Sequence, residues 1–198
     1  MFGYMGKLLR VNLSSKKTFV EPLKKDKALL FIGGKGLAGK ILFDELIPKS
    51  DPLSPHNKLL FMTGPLTGTA APSACKMQVV TKSPLTNTFV DSSCGGFFPA
   101  EVKFAGYDGV IIEGKSKEPV YLWIDGDHVE IRKASHIWGK TTSEAMKIIR
   151  EELGERSVKI ACIGPAGERL VRFACILAEI RTFGRGGSGA VMGAKNLK

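Results

Sequence analysis

The sequence predicts a domain of mixed strands and helices, because short strand-like runs outnumber helical segments along its 198 residues. Apolar runs such as Leu59–Thr63 stop at Gly-Pro pairs, as buried strands do where they end in turns. Asp125-Gly126-Asp127 separates two alternating runs, and a D-G pair in this setting indicates a β-hairpin. Helical spacing is confined to a few segments, of which Leu37–Leu46 is typical.

The first half of the chain opens with a predicted hairpin and two helices. The helices cover Asp26–Ile32 and Leu37–Leu46, and Pro48 ends the second one. A third short helix, Pro99–Ala105, is predicted from the proline at its first position. The predicted strands in this half are Leu8–Leu13, Thr18–Glu21, Leu59–Thr63, Lys76–Lys82, Thr88–Val90 and Gly109–Glu113.

The second half repeats this mixture of strands and helix. Thr141 and Glu144 form a T-x-x-E capping box, which predicts a helix that runs to Leu153 and ends at Gly154. The predicted strands in this half are Val120–Ile124, His128–Arg132, Val158–Ile163 and Leu170–Ile176.

A glycine-rich run, Arg181–Lys198, closes the chain and is its most unusual stretch. Five glycines fall within residues 181–193, and glycine loses more backbone freedom on folding than any other residue. Such a run suits a site where backbone N–H groups approach a ligand closely, and its arginines favour an anionic ligand. A flexible basic tail is the alternative, but the apolar Ala190-Val191-Met192 inside the run argues against a solvated linker.

The composition indicates a folded chain that favours anionic partners. Hydrophobic residues make up 43% and charged residues 24%, which excludes the disordered class. The formal net charge of +10 favours phosphates, nucleic acid or an acidic protein as partners. A solvated, thermostable surface explains the lysines and arginines equally well.

The cysteines Cys75, Cys94, Cys162 and Cys175 show no C-x-x-C spacing. Their apolar or small neighbours suggest reduced, mostly buried thiols, so we expect no metal site or iron–sulfur cluster built from this chain alone. The sequence has neither a signal-peptide core after Met1 nor a run of about 18 apolar residues. We therefore expect a cytoplasmic protein without a membrane segment.

Two parts of the chain, about 58–114 and 157–198, share one order of features. Each contains a strand, a Gly-Pro pair, a loop, a strand and then a Gly-Gly pair, at Gly95-Gly96 and Gly186-Gly187. We therefore predict a single domain, 1–198, with an internal duplication. A pseudo-two-fold axis would bring the two Gly-Gly turns toward one ligand with two phosphate arms, or toward two copies of one ligand.

Several longer strings identify a family, because they occur together and in a fixed order. They are Gly6–Leu13, Asp51–Pro55, Gly64–Thr69, Val80–Thr86, Lys103–Asp108, Ala134–Lys140, Ile163–Glu168 and Gly184–Lys198. On these strings the chain resembles, over nearly its whole length, the N-terminal domain of the tungsten-containing aldehyde:ferredoxin oxidoreductase family.

The resemblance implies an α+β fold of two mostly antiparallel β-sheets with a few helices, built from two pseudo-symmetric subdomains. It also implies a bis-molybdopterin cofactor with tungsten or molybdenum, and a Mg ion that bridges the phosphates of the two pterins. Backbone carbonyls hold this Mg ion in part, and the matching positions are Ser93 and Thr182, one beside each Gly-Gly turn. Carbonyl ligands suit a hard cation and require no particular side chain.

Further cofactor contacts are implied by the same match, position by position. Lys76 stands where the family usually has an arginine, and a lysine keeps the charge but loses the bidentate fork. The first pterin turn matches Ser93, Cys94, Gly95 and Gly96, and the second matches Arg181, Thr182, Gly184 and Arg185. No catalytic residue is expected within this chain.

The function that the resemblance implies is cofactor binding in an enzyme that oxidises aldehydes to carboxylic acids and passes electrons to ferredoxin. The family's C-x-x-C-x-x-x-C motif for a [4Fe-4S] cluster and its acid/base residues lie in later helical domains, outside this chain. The domain is then inactive alone and needs the remaining catalytic domains or a partner subunit. A homodimer is left open.

Two other functions are considered. The net charge of +10 and the Arg/Gly tail would suit a nucleotide- or nucleic-acid-binding module, but Phe183 is the tail's only aromatic residue for base stacking, which disfavours nucleic acid. A scaffold domain that no longer binds cofactor is the other alternative, because Lys76 and Ser93 depart from the family's usual residues.

Overall fold

The computed structural model describes residues 2–198, so Met1 of the predicted domain lies outside it. The described residues form strands and helices in mixed order, which confirms the α+β class. The strands are β1 (Lys7–Asn12), β2 (Lys17–Pro22), β3 (Leu59–Thr63), β4 (Lys76–Lys82), β5 (Phe89–Gly95), β6 (Gly109–Glu113), β7 (Val120–Asp125), β8 (His128–Lys133), β9 (Ala161–Cys162), β10 (Ile176–Ala178) and β11 (Arg181–Phe183). The helices are α1 (Lys25–Phe31), α2 (Gly34–Glu45), α3 (Phe98–Phe104), α4 (Thr142–Leu153), α5 (Pro165–Glu168) and α6 (Ser188–Ala194).

A six-stranded sheet in the order β2-β1-β6-β3-β4-β5 forms the centre of the domain. Its neighbours pair antiparallel except β1 and β6, which are parallel. Helices α1 and α2 cover one face, where Leu37 and Ile41 pack near Leu60. The opposite face packs against the second half of the chain, including Phe183 and Val191. Every residue of β3 is buried for this reason.

The prediction of two sheets needs a correction. Within residues 2–198 the second half forms two smaller sheets, β11-β10-β9 and the hairpin β7-β8, so three sheets are present. A single parallel bridge between Val120 and Leu197 links the hairpin to the end of the chain. The two small sheets are separate because none of the described strands lies between β7 and β9.

Several local predictions are confirmed. The Thr141 hydroxyl accepts a hydrogen bond from the Glu144 N–H (3.3 Å), and the Glu144 carboxylate accepts one from the Thr141 N–H (2.8 Å), which completes the capping box of α4. Gly126 lies in the turn between β7 and β8, and Pro99 lies in the first turn of α3. Within residues 2–198, no helix combines the length and apolar character needed to cross a bilayer.

Two predicted strands are wrong over most of their length. Val158–Ile163 is reduced to β9, because the Ile160 N–H donates to the carboxylate of Glu179 (2.7 Å) and not to a neighbouring strand. In Leu170–Ile176 the strand begins only at Ile176. Leu170 has a positive φ of 59°, and the Ala174 N–H donates to the Val171 carbonyl (2.8 Å), so this segment is a turn.

The glycine-rich run is ordered over most of its length, as the apolar residues inside it predicted. Arg181–Phe183 is β11, and Ser188–Ala194 is α6, whose residues are all buried. The glycines of α6 let it approach other backbone closely, since a Cβ on Gly193 would overlap the carbonyl oxygen of Gly167. The flexible-tail alternative is therefore wrong.

Lys195 joins the end of this run to the core. It is 1% exposed, and its Nζ donates to the carbonyl oxygens of Asn57 (2.5 Å) and Gly114 (3.0 Å). Burial, with a smaller contribution from nearby Lys58, lowers the pKa of Lys195 to about 7. A neutral amine has two N–H groups, one for each carbonyl.

Lys195 should make stability depend on pH in the alkaline range. Between pH 10.5 and about 7 the unfolded chain takes up a proton at Lys195 that the folded chain does not, so the free energy of unfolding falls as pH falls through this window. In Lys195→Met this pH dependence of the free energy of unfolding, up to about 1.4 kcal/mol per pH unit, should disappear. Urea unfolding at several pH values measures the difference in slope. Lys133→Met, at a side chain 78% exposed, is the matched control; equal slopes for the Lys195 variant and wild type would contradict the assignment.

Candidate functional site

The two predicted pterin turns meet where the edge strands β5 and β11 lie against each other. Ser93, Cys94 and Gly95 close β5 and so belong to the strand end, and Gly184 directly follows β11. The side chains of Cys94 and Phe183 point into the shared core, whereas Ser93 and Thr182 are exposed. The fold therefore brings together two segments that lie far apart in the sequence.

A groove of about 480 Å³ marks the first turn. Small residues of the loop 71–75 line it, together with Lys76, Gly95, Gly96 and Arg181. Lys76 pairs with Gly95 across the β4–β5 ladder, and Arg181 comes from β11 in the other half of the chain. Among the described residues no carboxylate lines this groove. Its two cations are exposed, which favours an anionic ligand.

Each turn also contacts the opposite half of the chain. The Arg181 side chain crosses Gly96, with its Cγ 3.4 Å from the point where a Gly96 Cβ would lie. In the other direction, the Ser92 hydroxyl accepts a hydrogen bond from the Arg185 N–H (3.2 Å). Aligning Ser93 with Thr182 also aligns Ser92 with Arg181 and Gly96 with Arg185. The Arg181–Gly96 contact is then equivalent to the Ser92–Arg185 contact with the two halves exchanged, as across an isologous two-fold interface.

The second turn is held tightly against the first half of the chain. Gly186 and Gly187 have positive φ values of 75° and 77°. A Cβ on Gly186 would overlap the Val90 side chain, and one on Gly187 would overlap the Arg172 carbonyl oxygen. The Ser83 hydroxyl donates to the Gly186 carbonyl (2.8 Å). Backbone conformation and close packing thus both require glycine here.

The predicted metal positions are Ser93, two residues before the end of β5, and Thr182, the middle residue of β11. No group of three or more His, Cys, Asp or Glu side chains suited to a metal occurs within residues 2–198. A cation at this place would therefore depend on carbonyl oxygens and on the anion itself. The Ser93 hydroxyl accepts from Gln78 Nε2 (2.5 Å), while Gln78 Oε1 is buried without a hydrogen-bond partner in the described chain.

Cys94 does not behave as a reactive thiol. Burial raises its pKa to about 11, although the charge of Arg181 opposes the shift. A thiol with this pKa stays protonated near neutral pH, whereas the metal-binding form is the thiolate. Its role at the first turn is therefore packing beneath the groove.

Sequence reasoning missed three residues that shape the site: Cys75 at the groove wall, and the two serines Ser83 and Ser92 that hold the second turn. Ser83 precedes Pro84, which is a turn signal, and its hydroxyl also accepts from the Leu85 and Thr86 N–H groups. That local signal indicates a turn but not its tertiary partner. Ser92 carries no such signal.

Comparison with known proteins identifies the family. The family model for the aldehyde ferredoxin oxidoreductase N-terminal domain matches residues 8–198. The chain belongs to this family. A tungsten-containing aldehyde ferredoxin oxidoreductase of Pyrococcus furiosus is 53% identical over 100% of this chain, which covers 33% of that relative. The aliphatic sulfonate oxidoreductase, WOR-like subunit, of the same organism is 43% identical over 100% of this chain and 34% of its own length.

A solved structure confirms the fold of this aldehyde ferredoxin oxidoreductase N-terminal domain. The active-site complex BamBC of benzoyl coenzyme A reductase, solved with 1,5-dienoyl-CoA, superposes with a TM-score of 0.98 at 43% identity. The match covers 100% of this chain and 30% of that one. The chain thus spans about a third of the length of the curated relatives it matches.

The packing at the second turn predicts unequal costs for two glycine substitutions. Gly187→Ala should lower the free energy of unfolding by about 1–2 kcal/mol, because alanine is strained in the left-handed conformation. Overlap of its Cβ with the Arg172 backbone should lower it by about 1–3 kcal/mol more. Gly126→Ala, also at positive φ but with nothing within 4 Å of the added Cβ, should cost only the first amount. The free energies of unfolding from urea titrations test this, and equal losses in both variants would count against the packing argument.

Proposed function

We propose that this domain holds the phosphate ends of a bis-molybdopterin cofactor, with tungsten or molybdenum, in an oxidoreductase that converts aldehydes to carboxylic acids. The observation that carries the proposal is the meeting of the two turns across β5 and β11, with cations from both halves of the chain. Membership of the family and the printed name of its tungsten-containing relative support the choice of cofactor.

The residues present fit such a group. The groove offers the exposed backbone of Gly96 and the half-buried backbone of Gly95 beside Lys76 and Arg181, and no carboxylate of the described chain would repel phosphate there. Arg185, also exposed, stands at the second turn. The cofactor supplies the redox chemistry when bound, and the domain supplies binding and orientation.

We assign the parts as follows. Lys76 would neutralise phosphate charge at the first turn, and Arg181 would do so from the opposite half. The carbonyls of Ser93 and Thr182 would hold the Mg ion. The buried, protonated Cys94 would stay out of the coordination.

We also propose that the two halves arose by duplication, with 58–114 and 157–198 as the related parts. Both contain a three-stranded antiparallel unit, β3-β4-β5 and β9-β10-β11, in which the first connection begins with Gly-Pro. Each unit leads through a glycine pair into a short helix, α3 or α6. The equivalent contacts Arg181–Gly96 and Ser92–Arg185 support the same axis.

The whole enzyme requires parts outside these residues. We propose that a [4Fe-4S] cluster, ferredoxin as electron acceptor and the acid/base residues belong to the remaining two thirds of a polypeptide of the relatives' length, or to a partner subunit. Because the domain presents no set of paired acid/base side chains at the groove, we expect it to be inactive alone.

The nucleic-acid alternative has less support. Phe183, the aromatic residue of the glycine-rich run, is 0% exposed and packs edge-on against Phe61 with ring centroids 5.7 Å apart. It offers no face for base stacking.

Removing the groove's cations should reduce cofactor content. In the longer enzyme, Arg181→Ala and Lys76→Ala should each weaken cofactor retention about tenfold or more, because a hydrogen bond to a charged group contributes about 1.5–3 kcal/mol. Tungsten by mass spectrometry and released pterin by fluorescence, both per polypeptide, measure the loss. Lys133→Ala, an exposed lysine of the β8 hairpin strand, is the matched control.

Two outcomes would contradict the proposal. Wild-type enzyme that carries neither tungsten, molybdenum nor pterin would favour a scaffold domain. If Arg181→Ala and Lys76→Ala both retain as much cofactor as the wild type, Arg181 and Lys76 do not hold the cofactor.

A further inference from the structure

Strand β2 is one edge of the central sheet, at the end away from β5 and the candidate site. Within residues 2–198 it pairs with β1 alone. Two of its apolar side chains, Phe19 and Val20, are 54% and 45% exposed. An edge strand that combines open backbone groups with exposed apolar side chains is a template for a further strand.

The register of the β1–β2 pair shows which backbone groups of β2 point outward. The Leu23 N–H donates to the Gly6 carbonyl (2.9 Å), which continues the register of the pair. Hydrogen-bonded and non-hydrogen-bonded pairs alternate along an antiparallel ladder. The odd-numbered residues of β2 therefore bond to β1, and the N–H and C=O groups of Thr18 and Val20 point to the open edge.

The sequence of β2 is complementary to itself. In an antiparallel pair of two copies with Phe19 opposite Phe19, Thr18 lies opposite Val20. The outward groups of Thr18 and Val20 then exchange both ladder hydrogen bonds on each side of a two-fold axis. In the same register Lys17 lies opposite Glu21, and opposite charges stabilise a cross-strand pair.

The neighbouring two-fold registers fit less well. An axis at Val20 would place Thr18 opposite Pro22, which has no N–H to donate. An axis at Thr18 would place Val20 opposite Lys16, which has a positive φ of 55° and lies outside the strand. The register with the axis at Phe19 is therefore the one that pairs both outward residues.

The charged side chains of β2 are placed to make the second contact. Arg10 of β1 holds one carboxylate oxygen of Glu21 through its Nε, and the other oxygen has no hydrogen-bond donor within residues 2–198. Lys17 is exposed. Glu21 can thus accept from Lys17 of a second copy without releasing Arg10.

The edge strand of the second half does not share these features. Strand β8 also pairs with one neighbour among the described strands, but its apolar residues Val129 and Ile131 are half-buried. Its Glu130 already forms ion pairs with His128 (2.6 Å) and Arg132 (2.6 Å) of the same strand. The charges of β8 are therefore compensated within the strand, whereas those of β2 match a second copy.

We propose that β2 is the docking strand for a second copy of the same polypeptide, which joins the two central sheets edge to edge with Phe19 at the two-fold axis. The pairing buries Phe19 and Val20 of both copies at the seam. It leaves the two grooves at the far ends of the joined sheet, so it does not depend on a bound cofactor. Because about five residues from each copy make a small interface, the dimer is weak and depends on protein concentration.

Disulfide trapping in a polypeptide of the relatives' length tests the position of the axis. Phe19→Cys places two thiols at a non-hydrogen-bonded pair, where Cβ atoms lie about 4.5–5.5 Å apart, so mild oxidation should link them. Val20→Cys, on the same strand and similarly exposed, is the matched control, because its two copies lie more than about 7 Å apart. Mass spectrometry of the linked peptides should show at least tenfold more linkage through residue 19 than through residue 20.

Three outcomes of these measurements would overturn the proposal. The first is the absence of linkage through residue 19. The second is equal linkage through residue 20, which would contradict the register. The third is hydrogen exchange of the β2 amides that is slow at every protein concentration, because the partner of β2 would then belong to the same polypeptide.

A proline substitution tests the ladder while it spares the bonds to β1. Val20→Pro removes an outward N–H, and in the Phe19→Cys background it should reduce linkage at least tenfold. Val129→Pro is the matched control on β8. The Ala134 N–H donates to the Pro119 carbonyl (2.8 Å), so even-numbered residues of β8 bond to β7 and the Val129 N–H points outward. Unchanged linkage in Val20→Pro, or an equal loss in Val129→Pro, would contradict pairing through β2.

Discussion

The close approach of β5 and β11 is the constraint on which the rest of the structure depends. These edge strands bring turns from two halves of the chain to one place, and the contact leaves no room for side chains at Gly186 and Gly187. The Ser83 and Ser92 hydroxyls fix the same turn through its backbone. A groove with cations from both halves is a consequence, because neither half alone supplies both Lys76 and Arg181.

Burial divides the many lysines and arginines into two groups with different roles. Lys103 and Lys198 are buried and form ion pairs with Asp108 and Glu168, each at 2.5 Å, so their charge is compensated inside the fold. The exposed cations at the groove have no carboxylate beside them there. The formal net charge of +10 thus says less about ligands than the positions of a few uncompensated cations do.

The two halves of the described chain differ in how their strands are paired. The first half closes its sheet with β6 between β1 and β3, whereas the second leaves β7 and β9 facing an apolar cavity. Backbone hydrogen bonds join Asp108 to Lys7 and Thr63 in the first half, and Lys198 to Val120 and Ile163 in the second.

The sequence by itself determined the elements with strong local signals. The capping box of Thr141 and Glu144, the turn at Gly126 and the apolar run of β3 were all predictable, because neighbours in the chain decide them. The family strings also predicted the family to which the chain belongs. Only the tertiary structure decided that Leu170 turns, that Ser188–Ala194 is a buried helix, and that Arg181 crosses Gly96. These features depend on contacts between distant segments, which local periodicity does not encode.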